Sequence, residues 1–230
     1  MKKNIISLFL ITQIFAIGGL GFYGGGNYHS TTAASTATGN ISISPGPMNN
    51  PATLGFFLYL DVLPVIDLEA SWELAGGTYP FKVAIDGENI GTSNEFPWVR
   101  SSAYFTVRKK IVGVGIPFLA KAQLYGGLGV NTHTVTPDVT VSLIEDAFAE
   151  MTPTDAVSQD FSANSTDISI LTNYMDKYKR TGTGFHIQVG AQAKLLFVNL
   201  FINARYTLAK DVVNGTSGFP TVWTGLAIGL

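Results

Sequence analysis

From about residue 50 onward the chain alternates apolar and polar positions with a period of two, the signature of strands with two unlike faces. Phe185, Ile187, Val189, Ala191 and Ala193 share one face, against His186, Gln188, Gly190, Gln192 and Lys194. The next segment sets Leu200, Ile202, Ala204, Tyr206 and Leu208 against Phe201, Asn203, Arg205 and Thr207. At the C-terminus Leu226, Ile228 and Leu230 alternate with Gly225, Ala227 and Gly229. Four earlier stretches behave alike: Leu54 to Leu60, Ile66 to Leu74, Ser102 to Arg108 and Lys121 to Val130. Gly19 to Tyr28 supplies an eighth strand whose pattern is blurred by glycine.

Alternation fits a soluble barrel with an apolar interior or a membrane barrel with an apolar exterior. The polar face discriminates between them. A water-facing wall should be dense in Lys and Glu, whereas here Gly, Ser, Gln and Asn accompany a balanced set of charges. Asp67, Glu69 and Glu73 fall on one strand, and Arg108, Lys121, Lys194 and Arg205 on others. Opposite charges beside small residues suit a crowded lumen, where each buried ion needs a partner. The other face is Leu, Ile, Val, Phe and Ala, as lipid requires. The expected fold is therefore all-β, a closed antiparallel up-and-down transmembrane barrel of about eight strands, with a soluble periplasmic ligand-binding barrel as the alternative.

Composition agrees. Charged residues are 13% and mean hydropathy is +0.26, yet past the N-terminus no run approaches the roughly 18 apolar residues of a spanning helix. A net charge of −2 gives no reason to expect nucleic acid, and the absence of cysteine excludes disulfides and thiolate sites. Lys2 and Lys3 precede an apolar run from Ile5 to Ala16, the layout of a secretory signal peptide with Ile14 and Ala16 at the cleavage positions. Residues 1–16 are expected to be that signal and 17–230 one barrel domain. An uncleaved anchor is the alternative, because apolar and glycine residues continue to Tyr23.

The connections alternate strictly. Asp61 to Val65, Ile111 to Ala120 and Leu195 to Val198 are short and apolar; Ser30 to Pro51, Gly76 to Trp98, Thr134 to Thr181 and Lys210 to Pro220 are long and polar. That is the pattern of periplasmic turns and extracellular loops. Phe56, Trp72, Trp98, Tyr206 and Trp223 are candidates for interfacial girdles. On these features the chain resembles the small, eight-stranded bacterial outer-membrane barrel superfamily over roughly Gly19 to Leu230. The closing Thr221 to Leu230 segment looks like that family's final strand, although the family usually ends in an aromatic residue. The resemblance implies an outer-membrane location, surrounding lipid and the barrel-insertion machinery as partners.

The inward set Asp67, Glu69, Glu73, Arg108, Lys121, Gln188, Gln192, Lys194, Asn203 and Arg205 reads as a structural network filling the lumen, with a narrow proton or ion path as its functional alternative. Eight strands enclose little more than their own side chains, so no open pore is expected. His133 and His186 have inward parity near the extracellular end and form a speculative rim site. No third ligand supports a metal there, and no motif joins a serine to either histidine. The glycine clusters at 24–26 and 126–129 lack the Lys-Ser or Lys-Thr of a phosphate loop. No cofactor and no catalytic residue is expected. Loop 134–181 is the candidate contact for an extracellular ligand or surface partner, with a short helix expected over Val139 to Met151. The expected role is a non-enzymatic membrane anchor acting through its loops. Transport of a small hydrophobic molecule is the alternative, and a barrel lipid enzyme a further one.

Overall fold

A computed structural model describes residues 18–61, 66–116, 119–150 and 176–229. The expected signal segment, Leu230 and Met151 lie outside them. The strands are β1 (Gly18–Asn27), β2 (Ser30–Thr32), β3 (Thr36–Thr38), β4 (Ile41–Pro45), β5 (Pro47–Asn49), β6 (Ala52–Leu60), β7 (Asp67–Ile85), β8 (Glu88–Ile116), β9 (Ala120–Val135), β10 (Arg180–Leu195), β11 (Val198–Val213) and β12 (Thr216–Gly229). Among the described residues a helix, α1 (Val141–Glu150), follows β9.

Eight of these strands close into an antiparallel ring in the order β1, β12, β11, β10, β9, β8, β7, β6 and back to β1. Tracing opposed residues from Lys109 through Gly126, Val189, Ala204, Val222, Gly26, Ala52 and Gly76 returns to β8 at Val99, a shear of ten residues. Shear obliges the strands to tilt, by about 35–45° in such barrels. Closure leaves no edge within the belt, so the peptide groups there bond to neighbouring strands, the β8–β9 ladder being interrupted only by a bulge between Lys110 and Val112.

The surface is inverted relative to a soluble barrel. Phe22, Leu54, Phe105, Leu128, Phe185, Ile187 and Ile228 are all more than half exposed, while Glu69, Glu73, Arg100, Arg108 and Arg205 are buried. This excludes the soluble carrier, whose apolar side chains would face the lumen. Among the girdle candidates Phe56, Trp72 and Tyr206 face outward, with Phe56 stacked on Trp72 and the Trp72 indole donating to Ser101 Oγ at 2.9 Å. Trp98 and Trp223 are instead buried inside. Parity explains this: Trp223 shares the face of Gly225 and Ala227, and Trp98 that of Arg100.

Three expected links are largely strand. β7 and β8 run on as a hairpin arm turning at Asp86-Gly87, where φ is +55° and +83°. β11 and β12 extend to a turn at Asn214-Gly215, and β8 continues to Ile116. In the two long hairpins the polar residues signalled departure from the membrane rather than departure from extended backbone, whereas the extension of β8 to Ile116 is apolar. Both described ends, Gly18 and Gly229, lie at the short-turn end of the barrel.

The lumen is also more aromatic than its polar pattern implied. Tyr23, Phe57, Tyr59, Tyr125, Phe201 and Trp223 form one buried cluster. Inward glycines make room for these rings. A Cβ on Gly190 would sit 2.5 Å from the Tyr125 ring, whereas one on lipid-facing Gly126 would meet nothing nearer than Ile111 at 3.5 Å. Gly190→Val is therefore expected to destabilise the barrel by about 1–3 kcal/mol through overpacking, and Gly126→Val to be near neutral. Urea unfolding in detergent, read from the different gel migration of unboiled and boiled protein, measures both; equal effects would contradict this packing.

Candidate functional site

The lumen is built on β7 and β8. Glu69 and Glu73 point inward from β7, and Arg100 and Arg108 from β8. In register Glu73 opposes Ser102 and Glu69 opposes Thr106, so each carboxylate reaches an arginine diagonally along the same wall. Arg100 Nη2 donates to Glu73 Oε1 at 2.6 Å, and Arg108 Nη1 to Glu69 Oε2 at 3.1 Å. Arg205 arrives from β11, across the lumen, and donates from Nη1 to Glu73 Oε2 at 3.4 Å. One buried carboxylate thus joins two guanidinium groups from opposite walls. All three side chains have 0% exposure.

The network extends toward the turn end. Arg108 Nη2 donates to Asp61 Oδ1 at 3.1 Å, and Lys121 Nζ lies 3.4 Å from Asp61 Oδ2. Gln188 bridges Glu69 (3.3 Å) and Arg205 Nε (3.4 Å). Gln123 donates to Gln192, which donates to Asn199, and Asn203 donates to the Tyr125 hydroxyl. Asp67 stands opposite Arg108 in register, and Lys194 opposite Lys121; both are half-buried at the turn-side rim. The guanidinium carbons of Arg108 and Arg205 lie 4.8 Å and 3.7 Å from the centres of the Tyr125 and Tyr104 rings. Such cation–π contact with desolvated rings offsets part of the cost of burial.

Sequence reasoning missed Arg100 and Asp61 as network members. Arg100 has the parity of Arg108 but adjoins a stretch read as loop, and Asp61 falls at the start of a short connection. The histidines are joined by a side chain that the pattern did not single out. His133 Nε2 lies 2.8 Å from Asn131 Oδ1, and Asn131 Nδ2 lies 3.3 Å from His186 Nδ1. His186 also meets Thr106 Oγ1 at 2.9 Å, and His133 meets Ser102 Oγ at 2.8 Å. Ser102 and His133 are thus adjacent, but each is only 1% exposed and Arg100 Nε donates to the same hydroxyl at 3.0 Å. The pair is closed to solvent. Among the described residues no group of three or more His, Cys, Asp or Glu assembles for a metal.

The outer mouth carries a second, apolar core. Ala75, Trp98, Val135, Ala209 and Phe219 at the strand ends pack with Ile43 and Met48 from the first connection and with Val139, Val141 and Leu143 after β9. The Val139 N–H donates to Tyr79 Oη at 2.9 Å, and the Val141 N–H to Thr36 Oγ1 at 3.1 Å. Thr140 caps α1, its Oγ1 accepting from the Leu143 N–H at 3.2 Å. The first part of loop 134–181 therefore folds as a lid over the mouth; Phe148, expected on the helix's apolar face, lies beyond the side chains described. Beneath the lid His29 lies 5.8 Å from the Phe219 ring, and burial, then the nearby Arg100 charge, lowers its pKa to about 4. It sits there neutral.

A closed ring with an apolar exterior, an ion-filled lumen and short turns at one end defines a small outer-membrane β-barrel. No protein-family model and no characterised protein matches the sequence. Solved structures with similar strand arrangement include the attachment invasion locus protein Ail of Yersinia pestis bound to the heparin analogue sucrose octasulfate. It is 9% identical, with 93% of this chain and 98% of that one covered, at a TM-score of 0.48. Neisserial surface protein A is 9% identical with 94% and 97% covered and a TM-score of 0.47. The outer membrane protein OprG from Pseudomonas aeruginosa is 13% identical with 93% and 92% covered and a TM-score of 0.45. The class assignment rests on the hydrogen-bonded ring and its inverted surface.

Because Glu73 holds two buried cations, Glu73→Ala should cost about 3–5 kcal/mol. Lys121→Ala, at a half-exposed pair, should cost under about 1 kcal/mol. Denaturant titration of the refolded proteins checks the ranking, which equal losses would contradict.

Proposed function

We propose that the protein is a non-enzymatic outer-membrane anchor that displays a lidded platform and loops to a surface partner, with membrane lipid around it and the insertion machinery as its route into the membrane. The observation that carries this reading is the double closure of the lumen. An arginine–carboxylate and aromatic core fills its middle, and the apolar lid covers its outer mouth. A continuous hydrogen-bonded wall also weighs against lateral release of a hydrophobic cargo, and the sealed Ser102–His133 pair against lipid hydrolysis.

Charge narrows the partner. Residues 134–181 carry eight carboxylates against three cations. Such a segment repels a polyanion such as the sulfated sugar held by Ail and favours a basic or neutral surface. Replacing residues 145–176 by a short Gly-Ser linker, which keeps the lid contacts of Val139 to Leu143, should leave heat-dependent gel migration intact. It should abolish retention of displaying cells on a cationic surface, with neither form retained by a sulfated one. Retention on the sulfated surface would overturn the charge argument. The full chain should show no stepwise conductance in planar bilayers; discrete openings would overturn the closed-lumen reading.

A further inference from the structure

His29 stands where the first connection leaves β1, at the base of the lid. Its ring lies 5.8 Å from that of Phe219 and 6.3 Å from that of Trp98, both members of the apolar core that seals the mouth. The Arg100 guanidinium lies on the same two rings, 4.2 Å from the Phe219 centre and 5.7 Å from the Trp98 centre. Imidazole and guanidinium thus share one aromatic pair. Both ring nitrogens of His29 are buried, and neither has a hydrogen-bond partner. A neutral imidazole already leaves one donor unmet there. A charged one would leave two, beside a cation that is itself fully buried.

The anions of the surrounding elements are already committed. From β7, Glu73 is held by Arg100 and Arg205; after β9, Asp138 is held by Arg180 and Asn214. His133 on β9, whose ring is 6.0 Å from that of Phe219, is engaged with Ser102 and Asn131. Tyr79 Oη accepts from the Val139 N–H, and Tyr28 is exposed. The ring is also coupled to the lid through backbone. The His29 carbonyl accepts from the Asn50 N–H at 3.0 Å, and Thr31, two residues on, opposes Met48 in the β2–β5 pair. Met48 packs in the lid core with Val139, Val141 and Leu143, and Thr36 of the same connection accepts from the Val141 N–H. Displacing His29 therefore displaces the connection on which the lid rests.

We propose that the outer mouth carries an acid-released lid: protonation of His29 expels its ring from the Trp98–Phe219 core, frees connection 28–51 and the start of α1, and bares an apolar surface. The lumen beneath stays filled, and the device does not depend on what the loops bind. With the ring in place, burial and then the Arg100 charge hold its pKa at about 4, against an ordinary 6.5 once it swings into water. The closed lid is therefore at its most stable above pH 6.5. Its advantage falls by at most tenfold per pH unit from there to about pH 4, where the loss is complete.

The test uses the full chain refolded in a detergent micelle, with unboiled gel migration confirming a closed barrel at each pH. The chain has no cysteine, so Leu143→Cys places a single thiol in the buried face of the lid. Its rate of labelling by 4,4′-dithiodipyridine, divided by the rate in the urea-unfolded chain at the same pH, reports the open fraction even where that fraction is small. Between pH 7 and pH 4.5 this ratio is expected to rise by about ten- to hundredfold. With His29→Phe added, which keeps a ring of similar size but cannot charge, the rise should stay within about twofold. Should that variant fail the migration check, His29→Leu takes its place. In the chain that keeps His29, NMR titration of the imidazole should track the labelling ratio. An equal rise without the imidazole would overturn the proposal, as would no rise at all or a ring that charges beneath a lid that stays shut.

Discussion

Within hydrocarbon an unpaired peptide group has no water to turn to, and each costs several kcal/mol. Closing the sheet is the solution this chain adopts, and the rest of the structure depends on it. With eight strands and a shear of ten residues, the wall encloses a lumen that side chains must fill. The inward face of every strand thereby becomes a core, although it is the polar face of the sequence.

That core solves a problem ordinary cores avoid. Arg100, Arg108 and Arg205 are fully buried, and each contacts both a carboxylate and an aromatic face. The carboxylates neutralise them, and the rings occupy volume that more polar groups would leave wet. Bonds crossing the lumen, above all Arg205 to Glu73, tie β11 to β7 through the interior as well as around the ring. A barrel so filled has its middle closed, and above the belt the lid and the β7–β8 and β11–β12 hairpin tips extend the wall.

Much of the fold was legible in the alternation. The outward positions Phe185, Ile187, Leu200, Ile202 and Leu226, and the inward positions Glu69, Glu73, Gln188 and Arg205, follow from a period of two combined with the sparseness of charge on one face. Less legible were features that period two does not encode. Trp98 and Trp223 were read as girdle residues because tryptophan favours interfaces, but parity governs where a strand side chain points. The hairpin arms of β7–β8 and β11–β12 were read as loops because they turn polar, which is what a strand does when both its faces leave the membrane.

The sequence by itself determined the architecture: strand number, the face that meets lipid and the end bearing the short turns. These are local properties, fixed by which side chains alternate along a two-residue repeat. Only the tertiary structure decided which charges meet, because partners such as Glu73 and Arg205 are 132 residues apart and are matched by closure and shear. The same holds for the lid, whose Val139, Val141 and Leu143 find their apolar neighbours on strands from four separate parts of the chain. Local pattern sets the direction of a side chain, and the global register sets what it meets there.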